Sequence, residues 1–403
     1  MKEFLYFIKG DFKKISFGWM LTFLSSFGQT FLISLYVTSI SSDFEISEGS
    51  FGAIYAICTV LASFIMLTVG HTVDHISIKK VTAYTIVGLA LSCILISLSY
   101  SLILVFVSLV GLRLAGQGML SHINMTILSK FYDKNRGKAL SFSTLGFSSG
   151  EMILPFLLTF LIYWLNWRWA MMVSGLLLIS YLLRLYFTNL DDFNKQLSIG
   201  RPSSLSLLKD FGNIIKDRRF LILMPTSFVI SFTVTAVVFY QYVFVEQKGW
   251  SVQLYASFFT GYALTRLIFS LVGGLWVDKF SAKKMFRFYL IPLGLGLLGF
   301  ALIHSIFGAL IFLLMMGITV GMAGTIKSSI LAEVYGIEKL GAIRSLYSMF
   351  MVLSTALGPL LIGIMIDKGL SIETIMLSLF AFILVCLVNA QRIKSVPTVS
   401  SSY

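Results

Sequence analysis

Residues 70–80 read GHTVDHISIKK, and residues 274–284, 204 positions later, read GLWVDKFSAKK. Each copy follows one long apolar run and precedes another. Pro155 and Pro359, in later apolar runs, are also 204 positions apart. A repeat with a period near half of the chain predicts that the molecule consists of two copies of one structural unit.

The composition indicates a membrane protein. Of the 403 residues, 57% are apolar and 12% are charged, against about 25% charged residues in a soluble domain. Apolar runs longer than the ~18 residues needed to cross a bilayer recur along the whole chain. The three cysteines, Cys58, Cys93 and Cys386, lie inside such runs. Their odd number and spacing predict buried thiols rather than disulfides or a zinc site.

The apolar runs predict an all-α membrane protein with twelve transmembrane helices in two six-helix, pseudo-symmetric halves. The predicted spans are 15–40, 51–70, 81–99, 102–130, 139–164, 169–189, 220–245, 252–276, 285–304, 306–334, 343–367 and 373–390. The first half is expected at residues 1–190, the central loop at 191–219, and the second half with a short tail at 220–403. Within the loop, Leu205 to Ile215 has the pattern of an amphipathic surface helix, and a flexible linker explains it equally well.

Lysine and arginine residues predict the orientation. Twenty-four of them lie on the side that holds the N-terminus, both repeats and the central loop, and only Arg168, Lys248 and Lys368 lie on the other. Cytoplasmic loops carry this excess, so both termini are predicted to be cytoplasmic and the protein to lie in the plasma (inner) membrane. The net charge of +13 follows from this bias and from contact with anionic lipid, so nucleic-acid binding is not predicted.

The repeated loops resemble the signature that follows spans 2 and 8 in the major facilitator superfamily. The span-4 stretch RLAGQG at 113–118 and the pair Gly146 and Gly150 ahead of Pro155 resemble that family as well. Three further segments are most similar to its monocarboxylate and organic-anion porter branch: FGQ at 27–29, RGKA at 136–139 and NWRW at 166–169. The resemblance implies two six-helix bundles that transport a small molecule by a rocker-switch motion.

The repeated loops are predicted to act as a gate. Gly70 and Gly274 are expected to let neighbouring helices approach closely. Asp74 and Asp278 lie at the predicted cytoplasmic interface, where a carboxylate can accept hydrogen bonds from a helix N-terminus. The resemblance implies that these N-termini are the starts of span 11, near 340–344, and of span 5, near 137–139. The basic members of the gate are Lys79, Lys80, Lys283 and Lys284. A solvated basic loop would explain these lysines but not the paired aspartates and glycines.

Ionisable side chains lie near the middle of three predicted spans. Arg113 is 11 residues into span 4, Glu151 is 12 into span 5, and Arg266 is 14 into span 8. A charge in the hydrocarbon core costs about 2.5–3.5 kcal/mol on insertion scales, so such residues are expected to face a cavity or a partner. Arg113 and Glu151 are equally compatible with a structural ion pair and with substrate contact.

Helical spacing adds polar neighbours to these charges. Gln117 follows the span-4 arginine by one turn, Tyr262 precedes the span-8 arginine by one turn, and a weaker polar stripe on span 1 ends at Gln29. Lys327 lies in span 10, where snorkelling to the interface and a functional role are equally compatible with the sequence. The predicted substrate-binding residues are Arg113, Gln117, Arg266, Tyr262, Gln29 and Lys327.

The basic excess of these charges predicts an anionic substrate, because guanidinium groups bind carboxylates bidentately. Glu151, the acidic member, is the predicted proton-coupling site. The leading prediction is therefore a secondary active transporter, a symporter or antiporter of a small mono- or dicarboxylate, with alternating access to a midplane site. Proton coupling or exchange is expected to drive it.

Other classes of function are less well supported. Efflux of amphipathic or drug-like compounds is the alternative, which the 15% aromatic content and 17 methionines favour. No nucleophile–base constellation, P-loop or metal-ligand cluster occurs in the sequence, so we predict neither an enzyme nor a cofactor or metal site. The central loop is too short for the signalling domain of a sensor. The protein is expected to act as a monomer in the lipid bilayer.

Overall fold

A computed structural model describes residues 10–70, 72–132, 136–194, 214–335 and 340–395. Within these ranges every regular element is a helix. Eleven helices are long and apolar enough to cross a membrane, and a pair of helices bent by 44° forms a further span. The predicted all-α membrane protein is confirmed, and twelve spans are present when the bent pair is counted as one.

The helix bounds agree with the predicted spans to within several residues. The spans, numbered 1 to 12 in chain order, are Phe12–Gly28 with Thr30–Asp43, Glu48–Met66 within the helix Glu48–Val69, Ile78–Ser97, Leu102–Phe131, Lys138–Trp164 within the helix Arg136–Trp164, Trp167–Phe187, Arg218–Gln247, Val252–Val277 within the helix Val252–Phe280, Ala282–Leu302, Phe307–Tyr335, Leu346–Asp367 within the helix Leu340–Asp367, and Ile372–Lys394. Two short helices, Thr72–His75 and Asp191–Asn194, follow spans 2 and 6.

Span 1 is broken near its middle, so the prediction of one continuous helix over 15–40 is wrong. Gln29 has extended backbone angles, φ −85° and ψ 151°, between the turn Ser26–Gly28 and the helix Thr30–Ile33. The break lies where span 1 meets span 4. A Cβ on Gly28 would overlap the backbone of Leu112 and Gly116, and a Cβ on Gly116 would overlap the backbone of Gly28. Two glycines therefore permit this close backbone approach.

Span 4 departs from regular α-helical geometry at the same level. Its segment Leu112–Leu120 is π-helical, between the α-helices Leu102–Gly111 and Ser121–Phe131. A π-helical segment has more residues per turn than an α-helix, and such segments are frequent at functional sites. The α-helical spacing predicted for the polar stripe of span 4 therefore does not hold from Arg113 to Gln117.

The chain divides into two compact units. Unit 1 comprises Met1–Ser47 and Ala53–Gly200, and unit 2 comprises Glu48–Gly52 and Arg201–Tyr403. The first turn of span 2 thus belongs to unit 2, where the Gly49 amide donates to Asp367 Oδ1 at 3.0 Å. The Tyr240 hydroxyl donates to the Glu48 carbonyl at 2.8 Å. The boundaries predicted at 190 and 220 do not anticipate this segment.

In unit 1, one arginine joins the ends of three spans on the predicted outer side. Arg168, in the first turn of span 6, pairs with Asp43 at the end of span 1 at 3.4 Å. Its Nη1 also donates to the carbonyls of Ser97 at 3.1 Å and Ser99 at 2.6 Å, at the end of span 3. A cation stabilises a helix C-terminus, where carbonyl groups lack helical partners. The arginine thus ties spans 1, 3 and 6 together.

Unit 2 has the equivalent arrangement with the charges exchanged. Lys248, which follows span 7, pairs with Glu373 in the first turn of span 12 at 3.0 Å. Its Nζ lies 3.5 Å from the Phe300 carbonyl near the end of span 9. Lys248 and Glu373 each lie 205 positions after their counterparts Asp43 and Arg168. We call these two groups the outer clasps. Two of the three basic residues predicted on the outer side are therefore paired.

Candidate functional site

The side chain of Arg113 lies inside unit 1 with 3% of its surface exposed. Its Nε donates to Thr59 Oγ1 at 3.2 Å. Its Nη1 donates to the Gly28 carbonyl at 3.3 Å and to Thr30 Oγ1 at 3.4 Å. Its Nη2 is buried and has no hydrogen-bond partner among the residues that the structure describes. The guanidinium group is therefore held on two of its three nitrogens.

The break in span 1 makes the Gly28 carbonyl available to Arg113. In a continuous α-helix this carbonyl would accept from the amide of Leu32. Here the amides of Leu32 and Ile33 both donate to the Gln29 carbonyl, each at 3.1 Å. A carbonyl without a partner in the membrane interior costs several kcal/mol, and Arg113 removes this cost. The break and the arginine thus depend on each other.

Span 2 completes the environment of the guanidinium group. The ring centroid of Tyr55 lies 4.9 Å from Arg113 Cζ, which allows a cation–π interaction. The Tyr55 hydroxyl is 2.7 Å from Thr30 Oγ1, which itself accepts from Arg113. Thr30, Tyr55 and Thr59 were not predicted from the sequence. The only signal for the latter two was their spacing of four residues on one apolar helix, which places them on the same face.

The other predicted residues of unit 1 have different surroundings. Gln117 is half-buried in the π-helical segment. Gln29 is half-buried at the break, and its side chain does not cap the helix that follows. Glu151 is buried in span 5, one turn before Pro155. The described partners of Arg113 are neutral groups, and Glu151 is not among them.

Three predicted residues lie in unit 2. Tyr262 is buried in span 8, and its ring packs 5.8 Å from that of Phe259. Arg266 is half-buried one turn further along. Spans 8 and 10 are in backbone contact here, because a Cβ on Gly317 would lie 3.2 Å from the Arg266 amide nitrogen. Lys327 is half-buried in span 10, and the described part of the chain offers it no hydrogen bond or ion pair.

The predicted gate glycines differ from each other. A Cβ on Gly70 would lie 2.8 Å from the Met66 carbonyl and 3.7 Å from His122 Nε2. A Cβ on Gly274 would meet no described atom within 4 Å, so the described residues show no close helix approach at this glycine. A close approach occurs at the preceding residue, Gly273, where an added Cβ would lie 3.1 Å from Met322 Cα of span 10. The two glycines are adjacent in the helix and therefore face different directions around its axis.

The side chains of Asp74 and Asp278 lie outside the described part of the structure. At the start of span 11, where a helix N-terminus was expected to face Asp74, most side chains of residues 340–344, including that of Arg344, are likewise outside the described part. The amphipathic segment predicted after Leu205 also falls largely outside the described ranges. The aspartate contacts of the gate therefore stay predictions.

Lys79 has a definite role at the predicted cytoplasmic end of unit 1. Its Nζ donates to the Tyr186 carbonyl at 2.5 Å, in the last turn of span 6, and lies 5.4 Å from the Tyr186 ring centroid. Lys80, the next residue, is exposed. The start of span 3 is fixed as well, because Asn194 Oδ1 accepts from the Ile78 amide at 2.9 Å. The first repeated loop is thus anchored within its own unit.

The second repeated loop is anchored by an acidic residue. The Ala282 amide at the start of span 9 donates to Glu333 Oε1 of span 10 at 3.3 Å. In the same loop Lys283 is half-buried and Lys284 is exposed. Ser281 has a φ of +74°, a backbone conformation that side-chain-bearing residues rarely adopt. The two copies share a sequence pattern but use different side chains to hold it.

A basic residue also caps span 10 at this end of unit 2. Arg219 Nη1 donates to the Val334 carbonyl at 3.0 Å, and the guanidinium group pairs with Asp217 at 2.7 Å. Burial alone would raise the pKa of Asp217. Hydrogen bonds from the Arg219 side chain and amide, together with the arginine charge, hold this pKa below its ordinary value. Asp217 is therefore ionised at neutral pH.

These features define the class of the protein as a multi-span membrane protein with two helical units, a broken span and an incompletely paired buried cation. The sequence matches the family model of the Major Facilitator Superfamily over residues 18–260 and 244–399. The chain belongs to the Major Facilitator Superfamily, and it is a membrane transporter with the fold of that family. The predicted arrangement of twelve spans in two six-helix halves is confirmed.

Solved structures support the same fold. A bacterial homologue of the human lysosomal transporter Spinster, in an inward-facing and unoccupied conformation, is 14% identical with a TM-score of 0.72, over 94% of this chain and 97% of that chain. The nucleoside transporter NupG is 15% identical with a TM-score of 0.75, over 94% of this chain and 98% of that chain. No curated protein matches the sequence significantly. At these identities the likeness concerns the fold alone.

We predict that Lys79→Met lowers the thermal unfolding midpoint by about 1–3 °C, because a charge at a helix C-terminus contributes about 0.3–1 kcal/mol. Lys80→Met is the matched control, since it removes the adjacent, exposed lysine. Unfolding of both purified variants, followed by intrinsic fluorescence in detergent, tests the prediction. Equal midpoints for the two variants would contradict the capping role of Lys79.

Proposed function

We propose that the protein is a secondary active transporter of a small organic anion, a mono- or dicarboxylate, working by alternating access. The observation that carries this proposal is the state of Arg113. Its described partners are two hydroxyl groups, a carbonyl and an aromatic ring, and none of these carries a negative charge that would offset the guanidinium group. Its Nη2 still has hydrogen bonds to donate. A bound anion would supply both the charge and the missing acceptor.

The lengths of its hydrogen bonds indicate that the charge of Arg113 is only partly compensated. The three bonds of Arg113 span 3.2–3.4 Å, whereas charge-assisted bonds to an anion are about 2.7–2.9 Å long. Neutral acceptors at these distances compensate a buried charge only in part. This favours ligand binding over the structural ion pair with Glu151 as the role of Arg113.

In unit 2 we propose Arg266, Tyr262 and Lys327 as the residues that contact the substrate. Arg266 and Lys327 are half-buried in spans 8 and 10, and cations at such positions usually serve a ligand or ion pathway. In unit 1 we add Gln117 and Gln29, which lie beside the break in span 1 and are not fully buried. Glu151 is proposed as the proton-coupling group, because it is a buried acid in the same unit as Arg113.

Efflux of amphipathic or drug-like compounds is the second candidate. The observation that favours it is a run of packed aromatic rings in spans 7 and 8, in which Tyr242, Tyr255, Phe259 and Tyr262 have successive centroid separations of 5.6, 6.1 and 5.8 Å. These rings are buried against each other, which is equally the behaviour of a packed core. Core packing does not explain the unpaired Nη2 of Arg113, so we favour a small organic anion as the substrate.

For the gate, we propose that Asp74 and Asp278 hold helix N-termini when the cytoplasmic side is closed. The anchoring of Lys79 to span 6 and of Ala282 to Glu333 supports this proposal, because each fixes a repeated loop within its own unit. A loop held in this way would carry its aspartate as part of a rigid body. The remaining basic residues, Lys80, Lys283 and Lys284, would then contribute mainly positive charge at the membrane surface.

We predict that small carboxylates raise the thermal unfolding midpoint of the purified protein, and that Arg113→Gln and Arg266→Ala abolish this effect. A ligand at 100 times its Kd stabilises a protein by about 2.7 kcal/mol, which a thermal-shift assay detects. Arg184→Ala is the control, because it removes an exposed arginine from span 6. Stabilisation only by sugars or cationic drugs would overturn the anion proposal.

For proton coupling, we predict that Glu151→Gln abolishes uptake driven by a pH gradient and preserves exchange of anion for anion in proteoliposomes. Glutamine has the size of the acid but cannot release or bind the coupled proton. Uptake of a radiolabelled carboxylate, with and without a pH gradient, measures both modes. Full gradient-driven uptake by the variant would rule out Glu151 as the proton site.

For the gate, we predict that Asp74→Asn changes the ratio of inward- to outward-open molecules by up to about fivefold, since a carboxylate at a helix N-terminus contributes about 0.3–1 kcal/mol. Accessibility of introduced cysteines from each side of the membrane gives this ratio. Asp191→Asn, which removes an exposed carboxylate from the same predicted side, is the control. An unchanged ratio together with an unchanged transport rate argues against the gating role.

A further inference from the structure

The geometry around Arg113 constrains how it can bind an anion. A guanidinium group binds a carboxylate bidentately through two neighbouring nitrogens, either Nε with Nη2 or Nη1 with Nη2. Here Nε is occupied by Thr59 and Nη1 by Gly28 and Thr30. Both bidentate modes therefore need a nitrogen that the protein already uses. The nitrogen left over is Nη2, with both of its hydrogens.

The two occupied nitrogens are not held equally. Nη1 has two acceptors, and one of them is the backbone carbonyl that the break in span 1 leaves without its helical partner. Nε has a single hydrogen and a single acceptor, the hydroxyl of Thr59. Thr59 is itself buried, with 4% of its surface exposed. The edge formed by Nε and Nη2 is thus closed by one hydroxyl group alone.

We infer that Thr59 determines the specificity of the anion site, by limiting Arg113 to a single-nitrogen contact with one oxygen of the anion. This inference rests on the proposed anion transport. Tyr55 and Thr30 act as positioning residues. The ring of Tyr55 covers the guanidinium group, and its hydroxyl forms a hydrogen bond with Thr30. Thr30 Oγ1 in turn accepts a hydrogen bond from Nη1 of Arg113. They keep Nη2 as the nitrogen presented to the ligand.

The single-nitrogen contact affects which class of substrate the site can accept. A single-nitrogen contact engages one oxygen of the anion, which a carboxylate and a tetrahedral oxyanion such as a sulfonate can both supply. The natural site should therefore accept compact organic monoanions of both shapes. A free Nε–Nη2 edge could form a second hydrogen bond to either anion. This second bond would favour the carboxylate, because carboxylate oxygens are more basic and accept stronger hydrogen bonds than sulfonate oxygens.

The test compares matched pairs of ligands that share an organic group, namely propionate with ethanesulfonate and benzoate with benzenesulfonate. Dissociation constants are measured by calorimetry for the full-length wild-type chain, Thr59→Val, Thr59→Ser and Arg113→Gln. We expect the wild type to bind both members of a pair within about threefold. Thr59→Val, which has the shape of threonine without its hydroxyl, frees Nε and should shift the ratio toward the carboxylate by about tenfold, the effect of one charge-assisted hydrogen bond.

Thr59→Ser keeps the hydroxyl and should keep the wild-type ratio. The ratio is a suitable readout because a general loss of stability affects both ligands of a pair alike. If Thr59→Val leaves the ratio unchanged, or weakens the carboxylate selectively, the inference is overturned. Should Thr59→Val not yield folded protein, Thr59→Cys has a weaker acceptor of similar size and is judged by the same criterion.

The experiment also separates this inference from the proposed function. If the wild type binds neither member of either pair, or if Arg113→Gln binds as tightly as the wild type, the anion site at Arg113 is wrong. If binding depends on Arg113 while the ratio is the same in all Thr59 variants, only the role of Thr59 is wrong.

Discussion

A hydrogen bond from a buried arginine to a backbone carbonyl underlies the arrangement of unit 1. The bond joins Arg113 to Gly28 at 3.3 Å, across 85 residues of sequence. Lipid offers no hydrogen bonds, so a helix can break inside the membrane only where protein groups replace those that the break removes. The glycines at 28 and 116 bring spans 1 and 4 close enough for this replacement. The π-helical segment, the break and the orientation of the guanidinium group therefore form one interdependent structure.

Outside this centre, a set of hydrogen bonds and ion pairs joins the helices of each unit at their ends. Charged side chains cap carbonyl groups at the ends of spans 3, 6 and 10, and side-chain oxygens accept from the first amides of spans 3 and 9. Helix ends are the positions where backbone groups lack helical partners. In a membrane protein there is little hydrophobic drive between helices because lipid is equally apolar, so close packing and interhelical polar contacts hold them together. Contacts at helix ends therefore contribute much of the information that determines which helices are neighbours.

Much of the fold could be predicted from the sequence, because lipid requires long apolar runs and the duplication repeats one loop. The break at Gln29 could not, since no proline marks it and the group that stabilises it lies in another span. Thr59 and Tyr55 were missed for a related reason: a hydroxyl in an apolar helix can bond its own backbone, and only the fold shows that these two face a cation. Arg113 was recognisable as a buried charge at mid-depth. Which of its nitrogens are occupied depends on residues of two other spans, Gly28 and Thr30 in span 1 and Thr59 in span 2.

The opposite polarity of the two outer clasps has a consequence for assembly. The chain holds two related sets of helices, so span 1 resembles span 7, and span 6 resembles span 12. If span 1 docked where span 7 belongs, Asp43 would meet Glu373, and if span 7 replaced span 1, Lys248 would meet Arg168. Both exchanges would bring like charges together at the membrane surface, where repulsion opposes them. Charge reversal between the halves thus lets a duplicated chain distinguish its own copies while its helices find their partners.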